Sequence, residues 1–189
     1  MTIKPIFKGF AVLLLCGMMF SASAASISFD MNTYTESPPN QVAVTIHFDF
    51  TDIAMLGGGF NVLYDSSVLE FVSYTQNAAV FSGVGAPQMA ASPIGALDSP
   101  GNYLGSGLGS FDFFTGINIA GDIGTFVFTV LGAGGDGGCG VTLCLTPVPA
   151  NPMFNLGGAD ITDSVFASGI TAANIVDPTP VELLRFSID

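Results

Sequence analysis

Residues 41–50 alternate without a break. Val42, Val44, Ile46, Phe48 and Phe50 fall on one face of an extended chain, while Ala43, Thr45, His47 and Asp49 fall on the other. Successive side chains of a strand point to opposite sides, so this period of two describes a strand with one face in a core and one toward water. A helix would scatter the same apolar residues around its circumference.

Further strand candidates are residues 26–30, 59–64, 69–74, 124–131, 141–145 and 181–188, separated by Gly, Pro and Asn. Short strands punctuated by turn formers predict an all-β domain of sandwich type, and no helical stretch of any length competes. Residues 82–110 are dense in Gly, Ala, Ser and Pro with little periodicity. A loop of that length in one domain implies weak strands or a functional excursion, and weak edge strands are expected near 88–91 and 103–106. The glycine run 132–138 reads as a flexible turn. It is not a phosphate loop, since neither Lys-Ser nor Lys-Thr follows and no helix opens after it.

The N-terminus predicts export. Lys4 and Lys8 precede or open an apolar run over 9–20, and Ser21-Ala22-Ser23-Ala24 offers the small residues a signal peptidase reads. Residues 1–24 are therefore expected to be a cleaved secretory signal and 25–189 a single domain. The apolar run is shorter than the roughly 20 residues a membrane span needs. Cys16 follows Leu15 where lipidation wants a small residue, so lipidation is set aside. After cleavage Arg185 is the sole permanent cation against 15 acidic residues. Nucleic acid and anionic membrane surfaces are thereby excluded as partners.

The inventory for catalysis is thin. His47 is the only residue suited to act as a neutral-pH base, it lies on a predicted strand, and no nucleophile elbow or Cys-His pair accompanies it. No catalytic residue is assigned and the chain is read as a non-enzyme. No cofactor is expected either. Asp49 with Asp52, and Asp160 with Asp163, place carboxylates close enough in sequence for Ca2+ to be tolerated, without EF-hand spacing. Zinc is disfavoured by the lone histidine. Cys139 and Cys144 read as a disulfide, as an even pair in an exported protein should. Five steps of straight strand would hold their Cα atoms about 16 Å apart, whereas a bridge needs about 7 Å or less. The bridge and a straight strand through 141–143 are exclusive, and the bridge, with 140–143 bent into a small loop, is preferred.

The most specific segment is Gly58-Gly59-Phe60-Asn61-Val62-Leu63-Tyr64-Asp65-Ser66-Ser67-Val68-Leu69-Glu70-Phe71-Val72. A strand ends in Tyr64-Asp65, Asp65 caps a turn over 66–68, and Leu69 opens the next strand facing inward. This pattern, with Gly59, Tyr64, Asp65, Leu69 and Phe71 at its key positions, resembles the cohesin family. A second match follows in order at Gly121-Asp122-Ile123-Gly124-Thr125-Phe126-Val127-Phe128, where Gly121, Phe126 and Phe128 are similar to a glycine and Phe-x-Phe strand late in the same family.

The resemblance implies a jelly-roll β-sandwich of about nine strands, and a role in protein or carbohydrate binding outside the cell. The matching residues are read as folding residues rather than ligand contacts. Two functions follow as expectations: a secreted cohesin-like module that binds a dockerin-type protein partner or holds an extracellular assembly together, with a link to polysaccharide degradation, and alternatively a carbohydrate-binding module. The chain has no Trp and four Tyr, which favours the first, because sugar platforms are flat aromatic rows. Extracellular or periplasmic residence follows from the signal. Binding is expected on a sheet face or on the 82–110 excursion.

Overall fold

The computed structural model describes residues 24–37, 40–80, 97–109, 114–132 and 134–176. In chain order these form β1 (Ser26–Phe29), β2 (Thr33–Thr35), β3 (Gln41–Asp49), β4 (Met55–Tyr64), β5 (Leu69–Gln76), β6 (Leu97–Ser99), β7 (Asn102–Gly109), β8 (Ala120–Val130), β9 (Leu143–Pro147), β10 (Phe154–Asn155), α1 (Thr162–Ala167) and β11 (Ala172–Val176). One sheet has the order β1-β3-β8-β5, and the other β2-β11-β9-β4-β7-β6 with β10 paired to β4. The strand segments outnumber the nine expected because β2, β6 and β10 are pieces of only two or three residues.

The alternating segment at 41–50 forms β3, which pairs antiparallel with both β1 and β8 at the centre of its sheet. Its apolar face meets the inner face of the second sheet. Phe29, Phe48, Phe50, Phe60, Phe126 and Phe128 are each at most 1% exposed. Removing such a ring from water contributes about 1.5 to 3 kcal/mol, so these six side chains are a large share of what holds the two layers together.

Three departures from the sequence reading have physical causes. β4 begins at Met55, four residues before the expected start, because Gly57-Gly58-Gly59 continue the strand instead of ending it. A Cβ on Gly58 would lie 2.5 Å from Met153 Sδ and 2.6 Å from Met153 Cα, and one on Gly59 would lie 2.9 Å from Asn151 Nδ2. These glycines admit the close crossing of 148–153 over β4, with Gly59 N–H donating to the Asn151 carbonyl at 2.8 Å.

The second departure is β7. Residues 103–106 are not an edge strand: β7 lies between β4 and β6, with Tyr103 and Leu108 buried in the core. The second half of the 82–110 excursion is thus part of the sandwich, which removes it as a free recognition loop. The expected strand at 88–91 lies outside the described residues, as do the strand at 181–188 and residues 1–23 of the signal segment.

The third is the C-terminal part of the fold. α1 is six residues long, below the length at which helical periodicity can be read, and it buries Val165. β11 runs parallel to β2 and antiparallel to β9, and so lies between them in the larger sheet.

Candidate functional site

The end of the sandwich at the β4–β5 turn brings together most of the residues singled out in the sequence. β4 ends at Tyr64, and Asp65 then organises the turn. Its Oδ1 accepts the Ser67 backbone N–H at 2.8 Å and the Ser67 hydroxyl at 2.6 Å. Its carbonyl accepts the N–H groups of Val68 at 3.2 Å and Leu69 at 2.9 Å. An Asp followed two residues later by Ser or Thr builds the same local turn at Asp49 and Thr51 and at Asp160 and Thr162. The Ser67 hydroxyl, then the backbone N–H groups of Asp136 and Ser67, hold the Asp65 carboxyl below its ordinary pKa.

Against this turn sits the loop between β8 and β9, which is pinned rather than flexible. Asp136 N–H donates to Asp65 Oδ2 at 2.7 Å. The Asp136 carboxylate in turn accepts the N–H groups of Gly138 and Gly140, each at 2.8 Å, and these two bonds lower its pKa. Gly135 has a φ of +100°, and a Cβ there would fall 2.6 Å from Val68 Cγ2, so both conformation and space demand glycine. The Cys139–Cys144 disulfide closes the loop with a Cα separation of 6.4 Å. Residues 141–142 are bent and the strand starts at Leu143, as the preferred bridge requires. Thr142 completes the tie, its hydroxyl donating to the Gly134 carbonyl at 2.8 Å and its carbonyl accepting Asp65 N–H at 3.1 Å.

Beside the turn lies a hollow of about 380 Å3 lined by Tyr64, Ser66, Leu69, Glu70, Phe71, Pro100 and Leu131. Leu131 is 58% exposed and is held there by its N–H donating to the Val68 carbonyl at 2.7 Å. Burial raises the Tyr64 phenol pKa, a backbone hydrogen bond with Gly101 opposes that, and the Glu70 charge adds to it. The hollow therefore joins an apolar wall to a carboxylate.

The two sequence motifs meet behind this wall. The Tyr64 ring lies 5.0 Å from Phe128, and Phe71 lies 6.0 Å from Phe128 and 6.3 Å from Phe126. Tyr103, which the sequence reading left in a weak strand, packs 5.1 Å from Phe71 and 4.8 Å from Phe126. Gly59 and Gly121 lie elsewhere and do not join the site; a Cβ on Gly121 would come within 3.0 Å of Val80. Glu70, Pro100, Leu131 and Asp136 were not singled out in the sequence. Glu70 alone carried a signal there, as a charged residue placed by alternation between two inward-facing apolar ones.

Among the described residues no three His, Cys, Asp or Glu side chains converge as a metal would require. His47 pairs with Asp122 at 3.0 Å on the exposed face of the smaller sheet, away from any described hollow.

No known family's profile matches the sequence, and no curated protein does. Solved structures match the architecture. The matched chain of a CaDoc0917–CaCohA2 complex gives a TM-score of 0.54 at 15% identity, covering 82% of this chain and 100% of that one. The second type II cohesin module from the cellulosomal adaptor ScaA scaffoldin of Acetivibrio cellulolyticus gives 0.53 at 16% identity, covering 83% and 98%. The domain has the cohesin fold. CaCohA2 from Clostridium acetobutylicum in solution agrees, with 0.51 at 15% identity over 82% of this chain and 92% of that one. In the cohesin-like frame of this chain, the aromatic cluster and the β4–β5 turn are the joints of the sandwich, which accounts for their legibility in the sequence.

Proposed function

We propose that this chain is a secreted, non-catalytic binding module whose ligand is another protein of dockerin type, within an extracellular assembly linked to polysaccharide degradation. The observation that carries the reading is the match to CaCohA2, which spans that whole chain and comes from a complex with a second protein, CaDoc0917. The signal-like N-terminus supports export, and packing begins directly after the expected cleavage point, with Ala25 1% exposed and β1 starting at Ser26. Charge supports a protein ligand over a surface of like sign. The described residues carry carboxylates from Asp30 to Asp163 and not one Lys or Arg.

Carbohydrate binding is the weaker reading. All four tyrosines belong to the core or pack against it, so none of them offers a free face for stacking on a sugar, and the exposed aromatic rings among the described residues are Phe114 and Phe154. The deciding experiment immobilises residues 25–189 and passes over them the culture supernatant of the source organism, in parallel with retention of the protein on polysaccharide resin. Recovery of dockerin-bearing proteins supports the proposal. Retention on the resin without protein capture overturns it.

A further inference from the structure

We infer that the Asp136–Gly137 peptide is a latent isoaspartate site which the Cys139–Cys144 bridge keeps closed, so that the bond isomerises once the bridge is reduced. It is the one Asp-Gly pair in the chain, and there is no Asn-Gly. Asp-Gly suits this chemistry because glycine has no Cβ to obstruct attack of its backbone nitrogen on the preceding side chain. The rearrangement itself needs only water. Gly137 N bonds to Asp136 Cγ, the amide proton and the carboxyl OH leave together as water, and a second water opens the resulting succinimide at the original peptide carbonyl. Mass is unchanged, and the backbone then runs through the Asp136 side chain.

Both reacting groups are held out of reaction. The Gly137 N–H donates to the Val141 carbonyl at 2.7 Å, so the nucleophile is already engaged. Asp136 Oδ1 accepts the N–H groups of Gly138 and Gly140, each at 2.8 Å, and these bonds favour the carboxylate, which unlike the acid has no OH to lose. The peptide has no room to turn, since a Cβ on Gly137 would lie 2.8 Å from the Thr142 carbonyl oxygen and 3.1 Å from Tyr64 Cα. Two of the holding partners, Gly140 and Val141, sit inside the segment that the bridge closes. Cys139 is exposed, which opens the bridge to a reductant of the dithiol class. Such a reductant gives the bridge two electrons and two protons and becomes a cyclic disulfide, after which the two cysteines can part and Gly140 and Val141 are released with the segment between them.

The test incubates the exported domain near neutral pH, bridged or with dithiothreitol, and follows isoaspartate by enzymatic methylation and peptide mapping. The bridged protein should accumulate it at Asp136 about 5- to 30-fold more slowly, because reaction then waits on local opening of the loop. The Gly137 amide should exchange faster on reduction, while core amides such as those of Ile46 and Val62 stay protected. Asp136→Glu, whose longer side chain cannot form the five-membered imide, should abolish the product in both states. Equal rates with and without the bridge, or isoaspartate arising elsewhere than Asp136, would overturn the inference. So would loss of the cooperative melt on reduction, which would make general unfolding the cause and not release of this loop.

Discussion

Asp136 donates its backbone N–H to Oδ2 of Asp65, 71 positions away in sequence, and this side-chain bond, beside that from Asp65 N–H to the Thr142 carbonyl, joins the disulfide-closed loop to the turn between β4 and β5. Through it, a residue recognisable in the sequence as a turn former becomes the anchor of a distant glycine-rich segment. Asp65→Ala removes the acceptor for Ser67 and for Asp136 together. The melting temperature should fall by roughly 2 to 4 °C, the shift expected when a domain of this size loses a capping side chain. Hydrogen exchange should accelerate at Ser67, Asp136, Gly138 and Gly140. Exchange that speeds up at Ser67 alone would show the loop to be independent of the turn.

Acid should destabilise the domain through a defined set of carboxylates. Asp49, Asp65 and Asp160 are held below their ordinary pKa, chiefly by the hydroxyl two residues on, and Asp136 by the N–H groups of Gly140 and Gly138. A folded pKa below the unfolded one stabilises the domain above the unfolded value, about 3.9, and that contribution is lost as pH falls through the folded value. Opposing this, protonation relieves repulsion in a chain of formal net charge −12. The melting temperature should hold or rise from pH 7 to about 5 and drop below about 4. Added salt at pH 7 should raise it, because screening relieves repulsion and the described residues contain a single His–Asp ion pair to weaken. A stability that falls steadily from neutral pH, or falls with salt, contradicts this balance.

Two buried residues should respond oppositely to loss of a few atoms. Leu69 is 1% exposed between the sheets, and Leu69→Ala leaves a cavity costing about 2 to 5 kcal/mol. Ser106, fully buried on β7, has a hydroxyl without a hydrogen-bond partner among the described residues. Ser106→Ala removes an unsatisfied polar atom from the core, so stability should be unchanged or gain up to about 1 kcal/mol. Denaturant melts measure both. A loss below about 1 kcal/mol for Leu69→Ala removes Leu69 from the core, and a clear loss for Ser106→Ala gives its hydroxyl a partner.

What could be read from the sequence depended on whether a local pattern had a single structural cause. The alternation across β3 has one, as does Asp65 followed by Ser67, and both survive in the structure. Glycine does not. Gly57-Gly58-Gly59 stay in a strand because Met153 and Asn151 cross over them, and β7 lies inside its sheet despite its three glycines and Ser106, facts set by contacts distant in sequence. β11 is weakly marked because Ala172-Ala173-Asn174 lacks strand formers, and its partners β2 and β9 define it. The candidate site divides the same way. Tyr64, Leu69 and Phe71 were visible as a motif, while Pro100 and Leu131 reach the hollow only through the sheet topology.

The disulfide gives the last prediction. Its loop spans a sequence separation of five, so cross-linking removes little freedom from the unfolded chain, and chain entropy assigns it about 2 kcal/mol. Its larger effect is local, since the cross-linked segment contains Gly140, one of the two N–H donors to Asp136, while Gly138, the other, lies immediately before Cys139. Mass spectrometry of exported protein should show a chain beginning at Ala25 and two hydrogens lighter than the dithiol. Alkylation before reduction would reveal a missing bridge. Reduction of the bridge and Asp65→Ala should then be non-additive, because each releases the same loop and the second has less left to release. If the two losses add within error, loop and turn are held independently, and the Asp136–Asp65 bond does not couple them.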